Sequence, residues 1–489
     1  MKKSVLKIFA VASAAAIALT ACGTSLNGGK AVKLDPDNPV AIEIWHYYNG
    51  QQLRAFNDMV AEFNETVGQE QGIIVEAFSQ GNISQLMDKV IDSANKKVGS
   101  EDIPDIFAAY ADTAYQIDRM GLAANLDNYL TAEELSGYVP EYIEEGRIGS
   151  NGELKIFPIA KSTEIMMLNK TDWDKFSSDT GASLDDLETI EGITKVSKSY
   201  YQWTDGLTEK PDDGKAFFGR DAIANYFIIG YKQFGVDLFS VKDGEVTFQP
   251  QKNIMKKLWD NYYVPYVNGW FGAYGNFRAD DAQMGDLIAF VGSTSGATYF
   301  PDQVKRDDIE GYPIEMLVFK PPCFQQAPYK VAVQQGAGMV VTKSDSRTEY
   351  ACSVFLKWFT EDERNIKFSI DSGYMPVKKT ANQVDKVLDA TAKMDQTNSV
   401  KKFEKTLPVS IETVNEYELY TNKAFNGGTK ARNVLETSMQ GQAKKDSAEV
   451  DKLVSEGMGR PEAAAKFTTD DNFERWYADF VKELESSIQ

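Results

Sequence analysis

The sequence predicts an α/β protein of two large lobes, each a mainly parallel sheet covered by helices. Three observations carry that expectation. A β-α-β-α-β pattern fills roughly the first 120 residues, which calls for a parallel sheet with its crossover helices on the faces. The three strands of that run each end in polar and aromatic residues, so those residues gather at one sheet edge. The chain is also too long, at 489 residues, for one hydrophobic core.

The elements follow in order. Strand Ala41-Ile42-Glu43-Ile44 breaks into Trp45-His46-Tyr47-Tyr48-Asn49-Gly50. A helix then places Leu53, Phe56, Met59, Val60 and Phe63 near the helical period. The second strand, Gly72 to Phe78, ends in Ser79-Gln80-Gly81-Asn82, and its helix carries Ile83, Leu86, Met87, Val90 and Ile91 on one face. The third, Asp105 to Tyr110, ends in Ala111-Asp112-Thr113. The stretch Leu154 to Ala160 leads through Lys161-Ser162-Thr163-Glu164 into another strand, Ile165 to Lys170. Thr360-Glu361-Asp362-Glu363 reads as a capping box. Phe473, Trp476, Tyr477, Phe480 and Leu484 make a closing helix.

Composition narrows the function classes. With 52 basic and 72 acidic residues the formal charge is −20. That argues against a broad nucleic-acid groove and against electrostatic attachment to anionic lipid. Tyrosines number 23 and tryptophans 7. Such side chains suit sugar-like ligands, since a flat face stacks on C–H surfaces while a polar tip hydrogen-bonds, although a large core also holds aromatics.

At the N-terminus, Met1-Lys2-Lys3 and Lys7 precede an apolar run from Ile8 to Leu19, then Leu19-Thr20-Ala21-Cys22-Gly23. This resembles a bacterial lipoprotein signal. The resemblance implies cleavage before Cys22, diacylglycerol on its sulfur and attachment at the extracytoplasmic face of the cell membrane. Thr24 to Asn38 reads as a flexible tether. The remaining cysteines, Cys323 and Cys352, either pair or stay free and buried.

Familiar catalytic signatures are missing. One histidine and three cysteines do not build an ordinary zinc site. No HExxH, Walker A or EF-hand loop occurs. Gly336-Ala337-Gly338 has Val341 where a dinucleotide fingerprint needs its third glycine. Gly292-Ser293-Thr294-Ser295-Gly296 has Thr294 where a nucleophile elbow needs serine. No catalytic residue, metal or cofactor is therefore nominated. A pair of acidic residues acting as a glycosidase is the remaining enzymatic reading.

The run Gly152 to Lys170 resembles the first crossover of the extracellular solute-binding proteins of ABC importers, family 1. So, in order, do Tyr110 to Thr113, Ala289 to Gly296, Gln335 to Ser344 with the helix through Tyr350, Phe355, Trp358 and Phe359, and Ser372-Gly373-Tyr374-Met375-Pro376-Val377. The resemblance implies the type II periplasmic-binding fold, two α/β lobes joined by hinge crossovers. It sets a signal peptide at 1–21, a tether at 22–40, lobe one at 41–159 with 320–370, and lobe two at 160–319 with 371–489. It also implies a monomer that captures a solute by hinge closure and docks on permease subunits, with a sugar or oligosaccharide as the expected ligand. A glycan-active surface enzyme, a binder of another solute such as a glycerol phosphate, and an adhesion or scaffold protein are the alternatives.

Carried onto this sequence, the family's ligand loops fall at Trp45, His46, Tyr48 and Asn49, at Ser79 and Gln80, and at Tyr110 and Asp112. Ser162, Ser295, Gly296, Gly336 and Tyr374 match the remaining contact regions, and alternation turns only one of Tyr47 and Tyr48 toward the cleft. Asn49 replaces a glutamate of the glycerol-phosphate-binding relatives, and no basic residue stands out at their C-terminal arginine. From the residues alone, Arg220 either binds an anionic group or pairs with Asp221 or a neighbour. Trp203 and Trp270 line the cleft or the core.

Overall fold

The structure is a computed structural model that describes residues 32–242, 245–306 and 309–488. In chain order, the first lobe begins with β1 (Val40–His46), α1 (Gly50–Phe63), β2 (Ile73–Ser79), α2 (Ile83–Ala94), β3 (Ile106–Ala109), α3 (Ala111–Arg119), α4 (Pro140–Gly146) and β4 (Ile156–Phe157). The second lobe follows with β5 (Glu164–Asn169), β6 (Phe218–Arg220), α5 (Ile223–Gln233), α6 (Arg278–Met284), β7 (Ala289–Ser293), β8 (Met316–Phe319) and β9 (Val331–Val333). The chain returns through β10 (Gly338–Val341), α7 (Ser346–Phe359), α8 (Asp362–Ser372) and α9 (Asn398–Glu416). It then crosses at β11 (Glu418–Tyr420) to α10 (Gly428–Ser455) and α11 (Asp470–Ser487).

The first sheet has the order β2-β1-β3-β10-β4 and the second β8-β5-β7-β6. In the first, β1 pairs in parallel with β2 and β3, and β10 runs antiparallel to β3. In the second, β6 and β7 are parallel while β5 opposes β7. Since β5 leaves the hinge at Glu164 opposite Ser293, the carboxyl ends of β6 and β7 face the hinge side. The start of β10 lies opposite the end of β3, so the carboxyl ends of β1, β2 and β3 face it too. Two carboxyl edges confront each other across one cleft.

Each lobe has its own core. The first gathers Ile42, Ile44, Phe56, Phe63, Phe107, Phe157, Val340, Phe355 and Phe368. The second gathers Leu168, Phe217, Phe227, Leu258, Trp259, Val291, Leu435 and Phe480. The expected lobe bounds need correction. Phe324, Val331 and Val333, expected in lobe one, pack in the second core, because the chain stays in that lobe until β10. Tyr374, Met375, Val377, Val387, Phe403, Leu407 and Ile411, expected in lobe two, pack in the first. Gly373, at φ +78, turns the end of α8 back onto the lobe it came from. Helix α9 also touches the other lobe, through Val409 against the cluster of Ile165, Met167 and Phe290 and through Lys402 Nζ on Phe300 O at 2.6 Å.

Three crossovers lie side by side. Ser162 and Gln335 exchange backbone hydrogen bonds at 2.9 Å, Lys161 and Met375 pair likewise, and Gln334 N–H donates to Tyr420 O at 2.9 Å. Adjacent strands sharing hydrogen bonds bend together, which is the mechanical requirement of a hinge.

Two smaller expectations also change. Thr360 does not cap α8. Its hydroxyl donates to Leu356 O within the preceding helix, and Glu361 takes the cap position without a side-chain bond. Within the expected tether, Asp35 to Asn38 form a turn, with Asn38 N–H on Asp35 O at 3.0 Å, and Arg347 holds it to the body by donating to Asn38 O. Residues 1–21 and Cys22 lie outside the described residues.

Candidate functional site

Lobe one offers its strand ends to the cleft. Tyr110 closes β3 and is 40% exposed. Tyr47 follows β1, and its hydroxyl meets that of Tyr374 at 3.1 Å while accepting from Ala337 N–H at the hinge. Ser79 Oγ donates to Tyr48 O at 2.8 Å, and Gln80 N–H to His46 O at 2.8 Å, tying the β2 end to the aromatic loop. Gln80 Oε1 accepts from Lys89. Asn49 is exposed at the start of α1.

Three expected contacts belong to the core instead. Trp45 is 1% exposed; its indole N–H donates to Glu43, and Lys89 covers its ring. That places it under α2, on the flank of the sheet. His46 is fully buried, and burial lowers its pKa to about 4, so the ring is neutral at physiological pH. Its Nδ1 accepts from Tyr48 N–H. Tyr48 packs on His46, Phe56 and Phe368. The strand ends at His46, so strict alternation stops there, and Tyr47 rather than Tyr48 meets the Tyr374 hydroxyl.

Lobe two holds a buried polar set where β5 leaves the hinge. Glu164, at the first position of β5, accepts from Arg220 Nη2 at 3.1 Å and from Asn225 Nδ2 at 2.7 Å. Asn225 Oδ1 in turn accepts from Arg432 Nη2 at 2.7 Å. Arg220 is thus committed to an ion pair with Glu164, not Asp221. Ser295 and Gly296 follow β7: Ser295 Oγ is 2.9 Å from Ser293 Oγ, and a side chain at Gly296 would meet open space. Ser162 and Gly336 are buried in the hinge; Gly336 has φ +96, and its carbonyl accepts from Lys161 Nζ at 2.7 Å. Lys161 also pairs with Glu145, which accepts from Gln334 as well.

Trp203 and Trp270 are not at the cleft. Trp203 packs on Phe176, in the helix that begins where β5 ends. Trp270 O accepts from Phe217 N–H, just before β6 begins. Both positions are at the far end of the second sheet.

The lobes meet at Asp112. Its carboxylate accepts from Phe425 N–H, faces Arg432 and lies where a side chain on Gly428, the first residue of α10, would clash at 2.7 Å. Burial outweighs these partners and raises its pKa to about 6. The sign follows directly. A carboxyl whose pKa is raised on contact takes up a proton there, so contact strengthens as pH falls through about 6 and weakens above it. Asp221 also stands at about 6, but it faces Arg278 within lobe two. X-ray scattering on the ligand-free protein should therefore show a more compact particle at pH 5 than at pH 7.5, and Asp112→Asn should abolish that difference.

Sequence reasoning left Tyr47 and Tyr48 open and chose Tyr48, whereas the hydroxyl that meets Tyr374 is that of Tyr47; it missed Glu145, Lys161, Glu164, Asn225 and Arg432. One signal existed: Lys161 and Glu164 bound a four-residue polar break, with Ser162 and Thr163 between them, in a run from Ile156 to Leu168 that is otherwise apolar. Cys323 and Cys352 are free. Among the described residues, no three His, Cys, Asp or Glu side chains group to hold a metal, and no helix is long and apolar enough to cross a membrane.

A family model described as bacterial extracellular solute-binding protein matches residues 58–396, well over half of the chain. No curated protein matches. Solved structures do. The cyclic alpha-maltosyl-1,6-maltose binding protein from Arthrobacter globiformis has a TM-score of 0.66 at 16% identity, covering 92% of this chain and 99% of its own. UgpB from Mycobacterium tuberculosis, in complex with glycerophosphocholine, has a TM-score of 0.62 at 16% identity, covering 92% and 100%. The maltose/maltodextrin-binding domain MalE from Bdellovibrio bacteriovorus, bound to maltotriose, has a TM-score of 0.57 at 15% identity, covering 91% and 100%. At these identities the likeness is one of fold.

Proposed function

The chain belongs to the bacterial extracellular solute-binding proteins, and from that premise we propose that it is the substrate-binding lipoprotein of an ABC importer for an oligosaccharide. The observation that carries the reading is the cleft itself. Two carboxyl sheet edges face each other over a three-crossover hinge, with Tyr47 and Tyr110 on one side and the exposed Arg432, hydrogen-bonded to Asn225, on the other. A ligand that touches both edges favours the state in which they approach. The similar structures include binding proteins for a cyclic maltosyl-maltose and for maltotriose.

On this reading Cys22 carries the lipid, the protein acts at the extracytoplasmic face as a monomer, and the loaded form docks on permease subunits. Binding requires no turnover. A phosphodiester is the competing ligand, favoured by the exposed Arg432 beside Asp112 and by the similarity to a glycerophosphocholine-bound protein.

A thermal-shift panel on the chain from Gly23 onward tests this. A cognate oligosaccharide at a hundredfold its Kd should stabilise by about 2.7 kcal/mol, without product. Product formation would overturn the binding reading in favour of an enzyme. Stabilisation by glycerophosphodiesters alone would replace the sugar.

A further inference from the structure

Ser295 and Gly296 stand in a short 3-10 turn, Thr294–Tyr299, that follows β7 directly. The start of this turn is tied at the hinge, where Thr294 N–H donates to Thr163 O at 2.9 Å. Ala297 is buried, while Ser295 and Gly296 are half-buried and Tyr299 is exposed. The last carbonyls of a helix have no partners within it, so the end of the turn needs donors from elsewhere.

Those donors come from lobe one. Lys402, near the start of α9, gives its ammonium to Thr298 O at 3.1 Å, to Phe300 O at 2.6 Å and to the Asp302 carboxylate at 3.1 Å. An ammonium has three protons to donate, and three acceptors meet it here. The Lys402 side chain is only 14% exposed, so little water competes for those bonds. A cation is also the favourable charge at a helix C-terminus.

Helix α9 serves both lobes. Phe403, Leu407, Ile411 and Val414 pack in the first core. Lys402, Lys405, Val409, Glu412 and Glu416, at spacings of three and four, meet lobe two. Lys405 Nζ donates to Met316 O at 3.2 Å, and Lys320, just beyond β8, pairs with Glu416 at 2.8 Å. These two lysines join the same helix to the same lobe without bonding the turn. Lobe one also meets the turn directly, since a side chain on Gly373 would come within 3.2 Å of Ser295 Cα.

We infer that Lys402 is a positioning residue for solute binding: from a helix of lobe one it fixes the lobe-two turn in the shape in which Ser295 and Gly296 meet the ligand. It acts through the turn and not on the solute. The inference rests on the reading of those two residues as ligand contacts, and it holds for a sugar and for a phosphodiester alike. A turn that is already fixed need not be ordered on binding, so the cost of ordering it does not subtract from affinity.

Two measurements on the full chain test it. One is calorimetric titration with trisaccharides of the α-glucan, β-glucan, xylan and mannan series and with glycerophosphocholine. The other is hydrogen exchange of the ligand-free protein. Lys402→Met keeps the aliphatic stem and removes the ammonium. For the probe that binds, its affinity should fall roughly tenfold, and peptides covering 294–300 should exchange faster. Lys402→Arg keeps a charged donor and should stay within about threefold of the unsubstituted protein. Asp302→Ala, at a side chain 60% exposed, should move both readouts the same way by less, and it decides the matter if Lys402→Met does not fold. Lys405→Met should change neither. An equal affinity loss in Lys402→Met and Lys402→Arg, or in Lys402→Met and Lys405→Met, would assign the effect to the packing of α9 and overturn the positioning role. So would a loss of affinity with unchanged exchange at the turn. Faster exchange with unchanged affinity overturns it too, by removing the turn from the site. If glycerophosphocholine alone binds, the sugar reading falls and Lys402 is judged on that ligand. If no probe binds, the proposed ligands and this inference fall together.

Discussion

Glu164→Ala should destabilise the protein by roughly 3 to 5 kcal/mol, read as a lower urea midpoint, because it strands a buried arginine. The Glu164 and Arg220 side chains are 6% and 7% exposed. Arg220 Nε already lacks an acceptor in the protein, so Glu164 supplies the carboxylate on which its burial depends. Asn225 would lose an acceptor in the same step. Two companions separate charge from packing. Glu164→Ala/Arg220→Met should recover most of the loss, since no unpaired charge remains. Glu164→Gln should fall between, retaining an acceptor for Asn225 without the charge. A Glu164→Ala loss below about 1 kcal/mol would mean that water reaches Arg220, as for an exposed pair. Through Asn225 the same substitution frees Arg432, so ligand affinity should fall even in the folded fraction.

What the sequence made legible was what repeats locally. The β1-α1-β2-α2-β3 run appeared from the helical spacing of Leu53 to Phe63 and the short β-rich strands, and each strand formed within two residues of its expected ends. The crossovers were harder, because a chain leaving one lobe for another needs no breaker. Phe324 and Val333 read like any core residues, and only long-range packing assigns them to the second lobe. Arg432 was hidden for a related reason: Asn225 lies 207 residues away in sequence, and Asp112 is farther still. Trp203 and Trp270 sit among glycines and aromatics, as cleft residues do, but the end of the sheet to which a loop belongs is a matter of strand direction.

The aromatic run after β1 splits, and the split has the second large consequence. Tyr48→Ala should cost about 3 to 5 kcal/mol of stability, the range for emptying an aromatic side chain from a core. Tyr48 is 1% exposed, and its ring stands 5.2 Å from Phe56 and 5.8 Å from Phe368. It also meets Tyr374 at 6.2 Å, so the cavity would open directly beneath the tyrosine that Tyr47 holds. Tyr47→Phe should behave in the opposite way. It removes only the hydroxyl that bonds Tyr374 and Ala337, so stability should change by about 1 kcal/mol while ligand affinity falls. Denaturation and calorimetric titration of both variants decide the matter. If Tyr48→Ala kept its stability and lost only affinity, Tyr48 would be a ligand contact. If the two residues lost stability and affinity in the same ratio, core and cleft would be one cooperative unit at this strand end.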